Sequence, residues 1–171
     1  MPLRPVPQAE VSSFLQMHGA DEERASLLAR LSSGRMGWAL NALQEESVMQ
    51  ERDDMLNMLK DAVYGNRVRR FEIAGELEKV ARKDNKAIRY LLETWQTYWS
   101  DVLLMTHGSP VKPCNSDRLV EIQQIVQTLY PDDALKALQA TRKMLNEIIK
   151  TNANIRMAFE VMFLDYPGLD S

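Results

Sequence analysis

Residues 88–103 have the sequence IRYLLETWQTYWSDVL, and this stretch decides the fold class. Its apolar side chains recur three or four positions apart, as they do on one face of an α-helix. The members of this face are Ile88, Leu91, Leu92, Trp95, Trp99, Val102 and Leu103. The stretch therefore predicts a long buried helix that ends at His107-Gly108. Its aromatic residues, Trp95, Tyr98 and Trp99, are expected to pack in the core rather than to stack on a ligand.

The same helical period continues on both sides of this stretch, between glycines and prolines that act as breaks. It predicts three short helices over residues 1–46 and five or six longer helices over 47–171. Asn66 is placed to cap one of the longer helices, and Asp84 marks a break between two of them. A loop is expected from Ser109 to Asn115, and no segment shows the alternation typical of a strand. The sequence therefore predicts an all-α protein built of two helical domains.

The composition of the 171 residues excludes several classes of protein. The chain is 45% hydrophobic and 26% charged, which is typical of a globular protein and not of a disordered one. No apolar run approaches the length of a membrane span, and no secretory leader is visible. A net charge of −3 argues against a dedicated nucleic-acid binder, although it permits a local basic face. We therefore expect a soluble, intracellular protein with no membrane partner.

The residues that could support catalysis are few and scattered. His18 and His107 are far apart and lack carboxylates at metal-ligand spacing, so we interpret them as surface or helix-end residues. Cys114 is the only cysteine, which excludes an internal disulfide, and its thiol has no evident role. No glycine-rich phosphate loop is present. The sequence predicts no metal, no cofactor and no catalytic residue in this chain.

A basic stretch over residues 67–89 allows two interpretations. Its eight cations outnumber its four carboxylates, so a face that binds the phosphates of nucleic acid is possible. The residues that would face DNA are Arg67, Arg69, Arg70, Arg82, Lys83 and Lys86. A solvated helix face with ion pairs one turn apart explains the same pattern.

Two short motifs resemble a known family. Residues 32–40, SSGRMGWAL, resemble the lid signature of clamp-loader subunits of the AAA+ class, in the form of the bacterial delta-prime subunit. Residues 152–160, NANIRMAFE, resemble the Asn-x-Asn-x-Arg-Leu-Ala-Leu-Glu pattern near the C-terminus of that family. The opening residues 3–7, LRPVP, resemble the segment that leads into the lid.

The resemblance implies a three-helix lid over 1–46 and a helical collar over 47–171. The collar would assemble with the gamma/tau and delta subunits of the DNA polymerase III clamp loader in the bacterial cytoplasm, with DNA contacted only indirectly or weakly. A nucleotide-binding domain would precede residue 1 in such a subunit. The chain itself would be non-catalytic, because Gly37 occupies the position of the arginine that senses ATP in hydrolysing subunits.

The motif residues also receive structural interpretations. Gly34 is a candidate helix C-cap, and both Gly34 and Gly37 are expected where the backbone must approach closely. Trp38 is expected in the lid core. Asn152 and Asn154 are expected to flank and cap the last helix, and Arg156 to pair with a carboxylate of a neighbouring helix or subunit.

Overall fold

The computed structural model describes residues 4–150 and 154–168, and it leaves the side chains of 148–150 undescribed. All regular structure in this part of the chain is helical, so the all-α prediction is confirmed. The described helices are α1 (Gln8–Met17), α2 (Glu22–Ser32), α3 (Met36–Gln44), α4 (Glu46–Tyr64), α5 (Arg67–Lys83), α6 (Asn85–Thr106), α7 (Leu119–Thr128), α8 (Pro131–Lys150) and α9 (Ile155–Leu164). One turn of 3-10 helix, Ser116–Arg118, precedes α7.

The chain divides into two compact units. Unit 1 comprises Met1–Glu51 with Lys112–Leu119, and unit 2 comprises Arg52–Val111 with Val120–Ser171. The division falls within α4, a few residues beyond the boundary expected at 46/47. The interpretation of 1–46 as a lid and of 47–171 as a collar stays a prediction.

Polar caps fix where the helices of unit 2 begin. The Asn66 side-chain oxygen accepts a hydrogen bond from the Arg69 amide at 3.0 Å, as expected of an N-cap. Asp84 is extended, and its carboxylate accepts from the amides of Lys86 and Ala87 at 3.0 and 3.3 Å. Asp84 therefore ends α5 and caps α6 at the same time, which confirms the predicted break.

Helix α6 supplies the centre of the unit 2 core. Trp95 and Trp99 are completely buried, and Trp95 Nε1 donates to the Met55 carbonyl oxygen at 2.8 Å. The hydroxyl of Tyr98, also buried, donates to Glu121 Oε1 at 2.8 Å. Helix α6 packs on α5 and α8, and α9 packs on the same two helices. The core role predicted for these three aromatic residues is confirmed.

Tyr166, just beyond α9, lies in the same core and was not singled out from the sequence. Its ring lies edge-on to those of Trp99 and Phe163, with centroids 5.3 and 5.4 Å apart. Its hydroxyl is 2.6 Å from the Thr141 hydroxyl, which is also buried. Burial raises the pKa of Tyr166 well above its usual range, because the phenolate would lose its hydration.

This raised pKa predicts a loss of stability in alkali. The unfolded tyrosine ionises near pH 10 whereas the native one does not, so stability is full below pH 10 and falls above it. By pH 11 this difference in pKa lowers the free energy of unfolding of the wild-type chain by about 1.4 kcal/mol. Urea unfolding of Tyr166→Phe should lack this component of the alkaline loss. Tyr130→Phe, which alters an exposed ring, should keep it; an identical pH dependence in both variants would contradict the prediction.

Unit 1 has a smaller core of its own. Its three short helices pack on one another around a few completely buried side chains. These are Val11, Leu15, Ala25, Leu28, Ala39 and Ala42. Trp38 is only partly buried and packs against this cluster, so it lies at the edge of the core rather than at its centre.

Candidate assembly surface

The first motif includes a close backbone contact in unit 1. Gly34 has a φ of +81°, and a Cβ added to it would lie 2.7 Å from Pro5 Cβ and 2.8 Å from the Val6 nitrogen. The Val6 amide donates to the Gly34 carbonyl oxygen at 3.3 Å. The predicted close approach is thus confirmed at Gly34. The C-cap of α2 is Ser33, in left-handed conformation, so the assignment of the cap to Gly34 is wrong by one residue.

Gly37 does not have the structural role expected of it. It is exposed in the first turn of α3, and a Cβ placed there would meet no described atom within 4 Å. The predicted close approach at Gly37 is therefore wrong, because the motif needs space only where Gly34 meets Pro5. Arg35 Nε, nearby, donates to the Ser32 carbonyl oxygen at 3.0 Å.

The second motif shapes the start of α9 in unit 2. The Asn154 side-chain oxygen accepts from the Met157 amide at 3.2 Å, which confirms the predicted cap; Asn152 lies outside the described residues. Arg156 Nε lies 3.1 Å from Glu160 Oε1, one turn along the same helix. This partner is on the same helix and not on a neighbouring helix as predicted, because the i,i+4 spacing offers a nearby carboxylate.

Arg70 is not available to DNA, contrary to the sequence-based prediction. Its Nε donates to the Ala62 carbonyl oxygen of α4 at 2.7 Å. Its two terminal nitrogens donate to the carbonyl oxygens of Phe163 and Pro167, both at 2.7 Å, and more weakly to that of Tyr166. The guanidinium thus satisfies carbonyls at the ends of α4 and α9, where a cation is favourable. Burial lowers the pKa of Arg70.

The other proposed DNA-facing residues fall into two groups. Arg69 lies 3.2 to 3.4 Å from carboxylate oxygens of Asp61, Glu72 and Glu76, so it belongs to a surface ion-pair network. These carboxylates raise the pKa of Arg69. The second group, Arg67, Arg82, Lys83 and Lys86, is exposed, and Arg82 pairs with Glu78 at 2.8 Å. The proposed DNA-facing residues therefore do not form one continuous face.

Exposed apolar side chains lie on both of the adjacent helices α5 and α9. On α9, Met157, Val161 and Leu164 recur at i, i+4 and i+7, so they share one helix face, whereas Phe159 and Phe163 on the opposite side are buried. The exposed fractions are 58% for Met157, 51% for Val161, 79% for Leu164, 64% for Val68 and 49% for Phe71. We call these five residues the α5/α9 surface.

Two close approaches between α5 and α9 show the relative direction of these helices. Arg70 of α5 binds carbonyls at the end of α9, whereas a Cβ at Gly75 would lie 3.7 Å from Cζ of Arg156, near the start of α9. The two helices therefore run antiparallel. Val68 and Phe71 lie on the same face of α5 as Gly75, and this face borders α9. Single exposed apolar residues are ordinary, but five of them on two packed helices are typical of an interaction site.

Unit 1 has a shallow groove with a partly apolar lining. Its volume is about 400 Å³, and its walls come from α1 and the first residue of α3. The lining residues are Ala9, Glu10, Ser13, Phe14, Met17 and Met36. Methionine side chains adapt their shape easily, so this groove could accommodate apolar groups of varied form.

The remaining candidate residues are at helix ends. His18 and His107 follow α1 and α6, and each Nδ1 lies within 3.0 Å of a carbonyl oxygen one turn earlier, which confirms the helix-end interpretation. Within the described residues, no three His, Cys, Asp or Glu side chains are grouped so that they could hold a metal ion. None of the described helices is long and apolar enough to cross a membrane.

Comparison of the chain with protein-family models, with curated proteins and with solved structures gives no match in any of the three. The interpretation as a clamp-loader subunit therefore depends on the two short motifs and on the helical architecture.

Proposed function

We propose that this chain is the non-catalytic lid and collar part of a clamp-loader subunit of the delta-prime type. In this proposal it supports assembly of the complex that loads the sliding clamp on DNA during replication by DNA polymerase III. The observation that carries the proposal is the α5/α9 surface, a set of exposed apolar side chains on two packed helices in the unit that we assign to the collar. The two sequence motifs are the reason that the proposal names this family.

The partners in this proposal are the gamma/tau and delta subunits in the bacterial cytoplasm. Their collar helices would cover Met157, Val161 and Leu164, and the removal of this apolar area from water would drive association. The chain needs no cofactor for this role, and Gly37 offers no guanidinium to a nucleotide phosphate.

Apart from Met157, which is part of the surface itself, the second motif supports this surface rather than contacting the partner directly. Asn154 caps α9, and the ion pair between Arg156 and Glu160 lies beside Gly75 of α5. Phe159, the penultimate residue of the motif, is completely buried. The motif thus fixes the position of α9 on α5, with Met157 and Val161 directed outward.

Co-purification tests the proposal. The tagged chain is mixed with gamma/tau and delta subunits encoded in the same genome. The molar mass of the eluted complex is then measured by light scattering. We expect stoichiometric co-elution with these subunits and none with an unrelated helical protein. Elution of the chain alone at micromolar concentrations of every subunit would contradict the proposal.

A further inference from the structure

A second group of exposed residues in unit 2, separate from the five of the α5/α9 surface, is rich in positive charge. It lies where α5 meets α6, two helices joined by the single residue Asp84. Five cations cluster around this junction, and all of them are exposed. They are Lys79, Arg82, Lys83, Lys86 and Arg89, and we call them the corner cations.

The spacing of the corner cations places their charges close together. Lys79 and Lys83 are one helical turn apart on α5, about 6 Å along the axis. Lys86 and Arg89, three residues apart on the first turns of α6, are also neighbours on one helix face. Because only Asp84 separates the helices, Lys83 and Lys86 both lie within one turn of the junction.

The nearby carboxylates are already engaged. The Asp84 carboxylate accepts two backbone amides at the start of α6, and Glu78 is hydrogen-bonded to Arg82 at 2.8 Å. Glu72 and Glu76, further back on α5, lie against Arg69. The five corner cations therefore outnumber Glu78 and Asp84, the two carboxylates of residues 78–89.

We propose that the corner cations bind the phosphate backbone of nucleic acid. Exposed lysines act as point charges toward successive phosphates, and the release of counterions then supplies the binding energy. Protein interfaces are depleted of lysine, so this cluster fits a phosphate backbone better than an acidic protein. The proposed site excludes Arg69, which pairs with carboxylates, and Arg70, which donates to backbone carbonyls. This function goes beyond assembly and does not depend on it.

The test measures binding of fluorescent DNA to the full chain by anisotropy at several salt concentrations. Contacts from Lys79, Lys83 and Lys86 to three phosphates predict a Kd that rises about 40-fold between about 50 and 200 mM salt. The variant Lys79→Gln/Lys83→Gln/Lys86→Gln should lose most of this affinity and of its salt dependence, for every DNA sequence tested.

A matched variant separates a local site from the effect of net charge. Lys136→Gln/Arg142→Gln/Lys143→Gln removes three exposed cations from α8 and changes the net charge by the same amount. It should bind DNA as the wild type does. Equal losses in the two variants, no binding of wild type at low salt, or equally tight binding of poly-glutamate would each overturn the proposal. The last result would favour an acidic protein as the ligand.

Discussion

Replacement of Arg70 by methionine should lower the free energy of unfolding of unit 2 by about 3 kcal/mol. The reason lies in its contacts, since one guanidinium donates to carbonyl oxygens of Ala62, Phe163 and Pro167 at 2.7 Å each. These carbonyls belong to segments at the ends of α4 and α9, far apart in sequence. Methionine fills similar space but donates no hydrogen bond, so it leaves them without that donor.

Two further variants separate the contribution of geometry from that of charge. Arg70→Lys keeps the positive charge near both helix ends but cannot reach three carbonyls at once, so it should recover less than half of the loss. Arg67→Met removes an exposed arginine from the same helix and should change stability by less than about 0.5 kcal/mol. Urea unfolding followed by circular dichroism measures all three. Equal, small effects of Arg70→Met and Arg67→Met would show that the contacts of Arg70 contribute little.

The substitution Val161→Glu should weaken binding of the chain to its clamp-loader partners by about 100-fold or more. Val161 lies at the centre of the exposed α9 face, between Met157 and Leu164. A carboxylate at this position would lose its hydration in the complex, and nothing in an apolar contact would compensate for the loss. In the isolated chain the same side chain stays in water, so its stability should hardly change.

The control for this variant places the same charge elsewhere in unit 2. Val120→Glu alters an exposed valine on α7, 68% exposed against 51% for Val161, and it should bind the partners as the wild type does. Isothermal titration of both variants against the purified partner subunits gives the comparison, and their melting temperatures confirm that both fold. Similar affinities for Val161→Glu and Val120→Glu would mean that the α9 face is not the contact surface.

The sequence was sufficient to predict the helices, because their apolar period and polar caps are local signals. Trp95, Tyr98 and Trp99 repeat with the helix, and Asn66, Asp84 and Asn154 cap helices as their residue types suggest. Burial of individual positions was harder to predict. Phe71 is exposed although it is strongly apolar, because it lies at the margin of the buried face of α5.

The contacts of Arg70 were not predicted, because arginine side chains are usually exposed to solvent. A signal for its true position was nevertheless present, since it lies on the helix face of Ile73, Ala74 and Leu77, which are all buried. Its acceptors at the end of α9 lie more than 90 residues away, and no local pattern indicates them. The role of Gly37 was predicted wrongly because both glycines of the motif were expected to lie where the backbone approaches closely. Only Gly34 lies at such a position.

Hydrogen–deuterium exchange of the chain with and without its partner subunits tests the central claim most directly. The claim predicts that peptides covering 155–164 and 67–75 gain protection in the complex, because these residues carry the α5/α9 surface. Peptides from α7, which carries Val120, should exchange as they do in the isolated chain. Protection confined to other helices, with 155–164 and 67–75 unchanged in a complex of confirmed mass, would contradict the account.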